Sequence, residues 1–208
     1  MRLPYAPSTP PPDSPASVGE IYARIAARRR PRPLIPLDLT LLHSPPVADG
    51  YNAFVGALRT ATVVPQSLLE LAVSRVAILT GAVYEWNIHA ALALKAGLSA
   101  AALEVAWGAG KGEFGVASSS SGSDSPPSLS DKEIAVLRYT DEATVDVKVQ
   151  DATFDALKRL FNDREILELA TVVAGYNAVS RILVPLDVGE NNDKPMKTVA
   201  ELVAAAGV

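Results

Sequence analysis

Cysteine is missing from all 208 residues. That absence excludes disulfides, thiolate catalysis, cysteine-ligated zinc and iron–sulfur clusters. Histidine occurs only twice, which leaves little for a histidine-rich metal site. Basic residues are not in excess: 19 Lys and Arg stand against 23 Asp and Glu, for a formal charge of −4. No basic stripe marks a nucleic-acid surface. No apolar run approaches the roughly 18 residues that span a bilayer. The first residues, MRLPYAPSTPPPDSP, lack the apolar middle of a secretory signal. A soluble, cytoplasmic protein with no membrane and no nucleic-acid partner is expected. Also missing is the period-two alternation of half-buried strands. Hydrophobic residues make up 49 % of the chain, ample for a core, and their spacing is helical. The class is all-α.

Residues 1–15 are rich in proline and predict a disordered tail or a segment lying extended over a neighbour. From 16 to 188 the spacing predicts one helical domain. Ser14-Pro15 opens a helix with Val18, Ile21, Tyr22 and Ile25 on one stripe. Arg28, Arg29 and Arg30 close it and are expected to be solvated. Pro31, Pro33 and Pro36 predict an extended connector. His43 and Ser44 precede a helix whose buried face is expected to be Val47, Tyr51, Phe54, Val55 and Leu58. Ser99 caps a short helix through Leu103, Val105 and Trp107. Residues 108–128 have the composition of a flexible Gly/Ser-rich insertion. GAGKG within it lacks the spacing and the Ser or Thr of a phosphate loop. Ser130-x-x-Glu133 is a capping box. Asp151 and Asp163 are expected to cap two more helices, the second running to Pro185. Residues 189–208 form a C-terminal extension with one short helix over Thr198–Ala206, free to pack on another subunit.

The chain is organised around residues 67–97, SLLELAVSRVAILTGAVYEWNIHAALALKAG. This stretch is apolar nearly all round, yet it carries Glu70, Arg75, Glu85 and His89. Ionisable groups inside an apolar rod must be paired, hydrated or at work, since a bare buried charge is expensive. Glu85 and His89 are one turn apart on one helix face. Thr80-Gly81 is expected to kink or split the rod. A split places Tyr84 and Glu85 in the first turn of the second half, where the helix dipole favours an ionised carboxylate.

ELAVSRVAILTGAVYEWNIHAALALKAGLS and GYNAVSRILVPLDV resemble the carboxymuconolactone decarboxylase-like family of the AhpD-like superfamily. The resemblance runs from about residue 34 to 188. It implies an AhpD-like helical bundle assembled as a homo-oligomer (trimer, hexamer or dimer), with sites near the central helices and often at subunit contacts. In the peroxidase branch a glutamate precedes a Cys-x-x-Cys pair and a histidine follows it. Glu70 and His89 stand where those two would be; Ala82 and Glu85 hold the cysteine positions. A disulfide cycle is therefore excluded, and the chain is similar to the branch without the redox pair.

Decarboxylation leaves a carbanion that must be delocalised and protonated, by an acid–base residue aided by oxyanion donors. Glu85, His89 and Glu70 are the candidate catalytic residues. Tyr84 as oxyanion donor, Trp86 as a wall against water, and Arg75 as anchor for a substrate carboxylate are candidate binding residues, with Asn87 and His43 beside them. Glu-x-x-x-His is half of a metal site, but no second half is visible, so no metal and no cofactor are expected. The function expected is a cofactor-independent lyase or isomerase for a small carboxylated lactone, enone or polyketide-like secondary metabolite. The alternative is a non-catalytic helical oligomer that binds a ligand or scaffolds a partner.

Overall fold

The computed structural model describes residues 1–114 and 129–207. Ten α-helices and one π-helical turn are present among them, with no strand. The sequence reads as one domain over 16–188, but the chain clusters into two compact units: Met1–Thr62 with Ile182–Asn191, and Val63–Arg181 with Asn192–Val208.

In the first unit α1 (Ala16–Arg29) buries Ile21, Tyr22 and Ile25, as its stripe predicts. α2 (Pro36–Leu41) is missing from the sequence reading: only six residues long, it hides within the proline-rich connector. Pro36 suits a first helical position, where no backbone N–H is needed. Of the three arginines at the end of α1, Arg30 is exposed as expected, but Arg28 and Arg29 are not solvated. Arg29 donates twice to Asp38, at 2.7 and 2.8 Å, and that carboxylate is 2 % exposed. Arg28 donates to Asn52. α3 (Pro45–Thr60) packs through Ala48, Val55 and Leu58. Val55 and Leu58 are buried as expected, but Val47 and Phe54 are 57 % and 45 % exposed, so the expected face is corrected at those two positions.

The expectation of a disordered tail is also corrected. Residues 1–15 lie extended along the first unit. Arg2 N–H donates to the Leu186 carbonyl and Ala6 N–H to that of Leu39. The Tyr5 hydroxyl donates to Glu190 and accepts from the Gly189 N–H. Prolines remove few needed donors here, and the Ser14 N–H turns back to the Pro11 carbonyl.

The second unit is built on α4 (Gln66–Thr80) and α5 (Val83–Lys95), which pack extensively on each other. Gly81 sits between them in the left-handed region, at φ 68°, which only glycine adopts without strain. The long rod is thus split, and α5 returns along α4. α6 (Ala100–Gly108) starts at Ser99, whose hydroxyl accepts from Ala102 N–H. α7 (Asp131–Asp141) opens with the predicted Ser130/Glu133 box and runs into a π turn, Glu142–Asp146. α8 (Asp151–Leu160) follows; Gln150 rather than Asp151 is its cap.

α9 (Asp163–Leu186) is counted with the second unit up to Arg181. Its cap is Asn162, one residue before the expected Asp163, in a reciprocal box with Glu165. By length and composition α9 could cross a membrane, against expectation. Asn177, Ser180 and Arg181 interrupt its apolar text, and Leu169, Val172, Val173 and Tyr176 are buried as in a core helix. α10 (Val199–Ala206) is capped by Thr198 and packs on α5 and α6. Of the expected Gly/Ser-rich insertion, residues 115–128 lie outside the described residues.

Candidate active site between α4 and α5

The reversal at Gly81 decides which polar groups meet. His89 bonds not to Glu85, its helical neighbour, but across to α4: Nδ1 and the Glu70 carboxylate are 2.7 Å apart. The two side chains are 12 % and 3 % exposed. Tyr176 of α9 lies edge-on against the imidazole, with centroids 4.7 Å apart and planes at 78°. A carboxylate on Nδ1 fixes the neutral tautomer and makes Nε2 the atom through which the ring exchanges protons.

One turn nearer to Gly81, the same register brings Ser74 of α4 level with Glu85 of α5, since each lies four residues from a member of the bonded pair. Both are sealed: Ser74 is 0 % and Glu85 1 % exposed. Neither the Ser74 hydroxyl nor either Glu85 oxygen has a hydrogen-bond partner among the described residues. Burial pushes the Glu85 carboxyl well above its ordinary value. The expectation of an ionised Glu85 is therefore corrected. A first-turn helix position is worth about 0.3–1 kcal/mol to a carboxylate. Desolvation without a partner outweighs that by several-fold. Burial thus favours the neutral form of Glu85, in which the carboxyl donates as well as accepts. Ser74 is absent from the sequence reading, although its place one turn after Glu70 was visible.

The other predicted residues lie in different surroundings. Arg75 is 1 % exposed and fully engaged. Nε and Nη2 donate to Asp141 at 2.6 and 2.9 Å. Nη1 donates to the carbonyls of Ala106 and Ala109, and Nη2 to that of Gly110. Its expected role as a carboxylate anchor is corrected: Asp141 already fills that place. Trp86 is 0 % exposed, packs tilted against Trp107 with centroids 4.6 Å apart, and donates from Nε1 to the Lys197 carbonyl at 2.7 Å. The Asn87 Oδ1 accepts from the Lys197 N–H at 2.9 Å. These two hold the C-terminal extension instead of a substrate. Tyr84 is half-buried in the first turn of α5. His43, in the first unit, is exposed and its Nε2 donates to the Pro4 carbonyl, so it ties down the tail.

A groove of about 370 Å³ lies elsewhere in the second unit, between α7 and α8, and neither Glu70, Glu85 nor His89 lines it. No group of three or more His, Asp or Glu able to hold a metal occurs among the described residues.

Residues 45–110, from the start of α3 to just past α6, match the carboxymuconolactone decarboxylase family. Among curated proteins nothing matches the chain.

Proposed function

We propose that this chain, whose residues 45–110 match the carboxymuconolactone decarboxylase family, is a cofactor-independent lyase or isomerase. Its substrate is a small carboxylated lactone, enone or polyketide-like metabolite. The observation that supports this reading is the Glu85 carboxyl, buried without a partner one turn from the Glu70–His89 pair and pushed by burial toward its neutral form.

Unsatisfied buried polar groups destabilise a fold by about 1–3 kcal/mol each, so a persistent one calls for a role. A neutral carboxylic acid in an apolar setting can donate to an oxygen that gains negative charge during the reaction. In a decarboxylation the bond to the carboxylate carbon breaks and carbon dioxide leaves. The electron pair moves into the conjugated carbonyl, and the enolate oxygen takes its hydrogen bonds from Glu85 and Ser74, which requires the α4–α5 packing over these buried groups to part when substrate enters. His89, protonated at Nε2 and steadied by Glu70, then delivers the proton to carbon. An isomerisation uses the same parts, with His89 first removing a proton and then returning it. The catalytic roles are thus Glu85 as oxyanion donor, His89 as acid–base and Glu70 as the group that orients it.

A homo-oligomer in the cytoplasm completes the proposal. Val47 and Phe54 of α3 and Ile88 of α5 are large apolar side chains with 44–57 % exposure, as subunit contacts would require. Sedimentation of the purified chain as a monomer at micromolar concentration would count against assembly.

The test of the chemistry uses full-length protein with a panel of conjugated keto acids and lactone acids. Carbon dioxide release and deuterium uptake from heavy water are followed. His89→Ala and Glu85→Met are expected to lower turnover by about 10²–10⁴-fold with the fold intact. Glu85→Gln keeps a donor and loses less. Normal turnover by Glu85→Met on a confirmed substrate would place the chemistry elsewhere.

A further inference from the structure

The groove between α7 and α8 belongs to no part of the site described above. Arg138 of α7 and Arg159 of α8 both line it. Neither guanidinium has a carboxylate within ion-pair distance or a hydrogen-bond partner among the described residues. Arg138 is half-buried and Arg159 exposed. The floor between them is apolar, formed by Ile134, Ala135, Ala156 and Leu160. Arginine is a planar fork of five donors that matches a carboxylate, and an unpaired one beside apolar surface is a ready anion receptor.

The contrast with Arg75 in the same unit is direct, because there all the donors are matched inside the fold. Asp131 also lines the groove and offsets one of the two positive charges. The balance of +1 (two arginines less one aspartate) suits a single anionic group rather than a polyanion. A volume of about 370 Å³ lies at the small end of ligand sites, enough for one ring and its substituent.

We infer that the α7–α8 groove is a binding site for a small organic monocarboxylate with an apolar body, independent of the α4–α5 site. The carboxylate is held by Arg138 and Arg159, and the body covers Ile134 and Leu160.

The test titrates benzoate against the full-length chain by ligand-observed saturation-transfer NMR, with benzyl alcohol in a parallel arm and inorganic phosphate added as a competitor of the benzoate signal. Benzoate is expected to bind at millimolar concentration and the other two much more weakly. Arg138→Gln and Arg159→Gln should each weaken benzoate about tenfold, the effect of losing one charge-assisted contact. Ala156→Trp, which fills the floor and spares both arginines, should abolish binding. Each variant is first shown to keep the melting temperature and helicity of the unaltered chain. No benzoate binding by the unaltered chain would overturn the proposal. So would undiminished binding by the Arg138→Gln/Arg159→Gln double variant. Phosphate binding as tightly as benzoate would overturn the organic class, and benzyl alcohol doing so would overturn the role of the guanidiniums.

Discussion

Arg75 and Glu85 lie ten positions apart on two helices that pack against each other, and both are 1 % exposed. Their surroundings are opposite. The guanidinium of Arg75 makes five hydrogen bonds, two to Asp141 and three to carbonyls that end α6 and begin the following loop. The carboxyl of Glu85 makes none. The first arrangement fastens α4, α6 and α7 together and has nothing left for a ligand. The second has its whole hydrogen-bonding capacity in hand, at a standing cost to the fold. Within one apolar layer, then, burial alone does not separate structural from functional ionisable groups; the completeness of their partners does.

The comparison breaks most forcefully at Arg75. Arg75→Met leaves Asp141 buried without its counter-charge and strips three carbonyls of their donor. Removing one partner of a buried pair typically costs about 3–5 kcal/mol. Denaturant titration should show a loss of that size. A loss below about 1 kcal/mol, the range of an exposed pair, would mean that the network contributes little and that Arg75 is available for other work.

Glu85 should respond in the opposite direction. Glu85→Met keeps the volume and removes the orphaned polar atoms, so stability should rise by about 1–3 kcal/mol while turnover falls. The pH dependence sharpens this. The folded carboxyl is held above its ordinary value of 4.5, so the folded state binds the proton more tightly than the unfolded chain does. The stability from this group is full below that ordinary value and is lost as pH rises through the raised one. Unfolding measured at about pH 5 and about pH 8 should show the unaltered chain weaker at the higher pH, with that slope reduced in Glu85→Met. An unchanged slope would put the titration on another group.

Local rules carried much of the fold and little of the site. Ser99, Ser130 and Thr198 announced helix starts because a cap and its helix lie within a few residues. The break at Gly81 was legible for the same reason. The one-residue error at Asn162 and the rotated face of α3 come from neighbours that satisfy the same local pattern almost equally. α2 escaped because six residues among prolines carry no period. The site failed differently. A sequence offers Glu85 to His89 because i and i+4 share a helix face, yet the imidazole finds Glu70, 19 residues back, once α5 returns along α4. Asp141 is 66 residues from Arg75, and no spacing rule reaches that far. Family resemblance reached part of the way: it set Glu70 and His89 in corresponding places but not in contact, and it was silent on Ser74.

The smallest effect belongs to Asn87, and it tests the reassignment from substrate to scaffold. Its amide oxygen takes the N–H of Lys197, while Trp86 takes up the carbonyl of the same residue. Both main-chain groups of one residue are thereby clamped at the first turns of α5, just ahead of the Thr198 cap. Asn87→Ala removes one of these bonds at a position exposed enough for water to replace it, so the loss should be at the low end of about 0.5–1.5 kcal/mol. The loss should also be local: amide exchange in Val199–Ala206 should quicken while exchange in α4 stays as it was. Turnover should be unaltered. A raised KM with no change in the exchange of α10 would return Asn87 to the substrate.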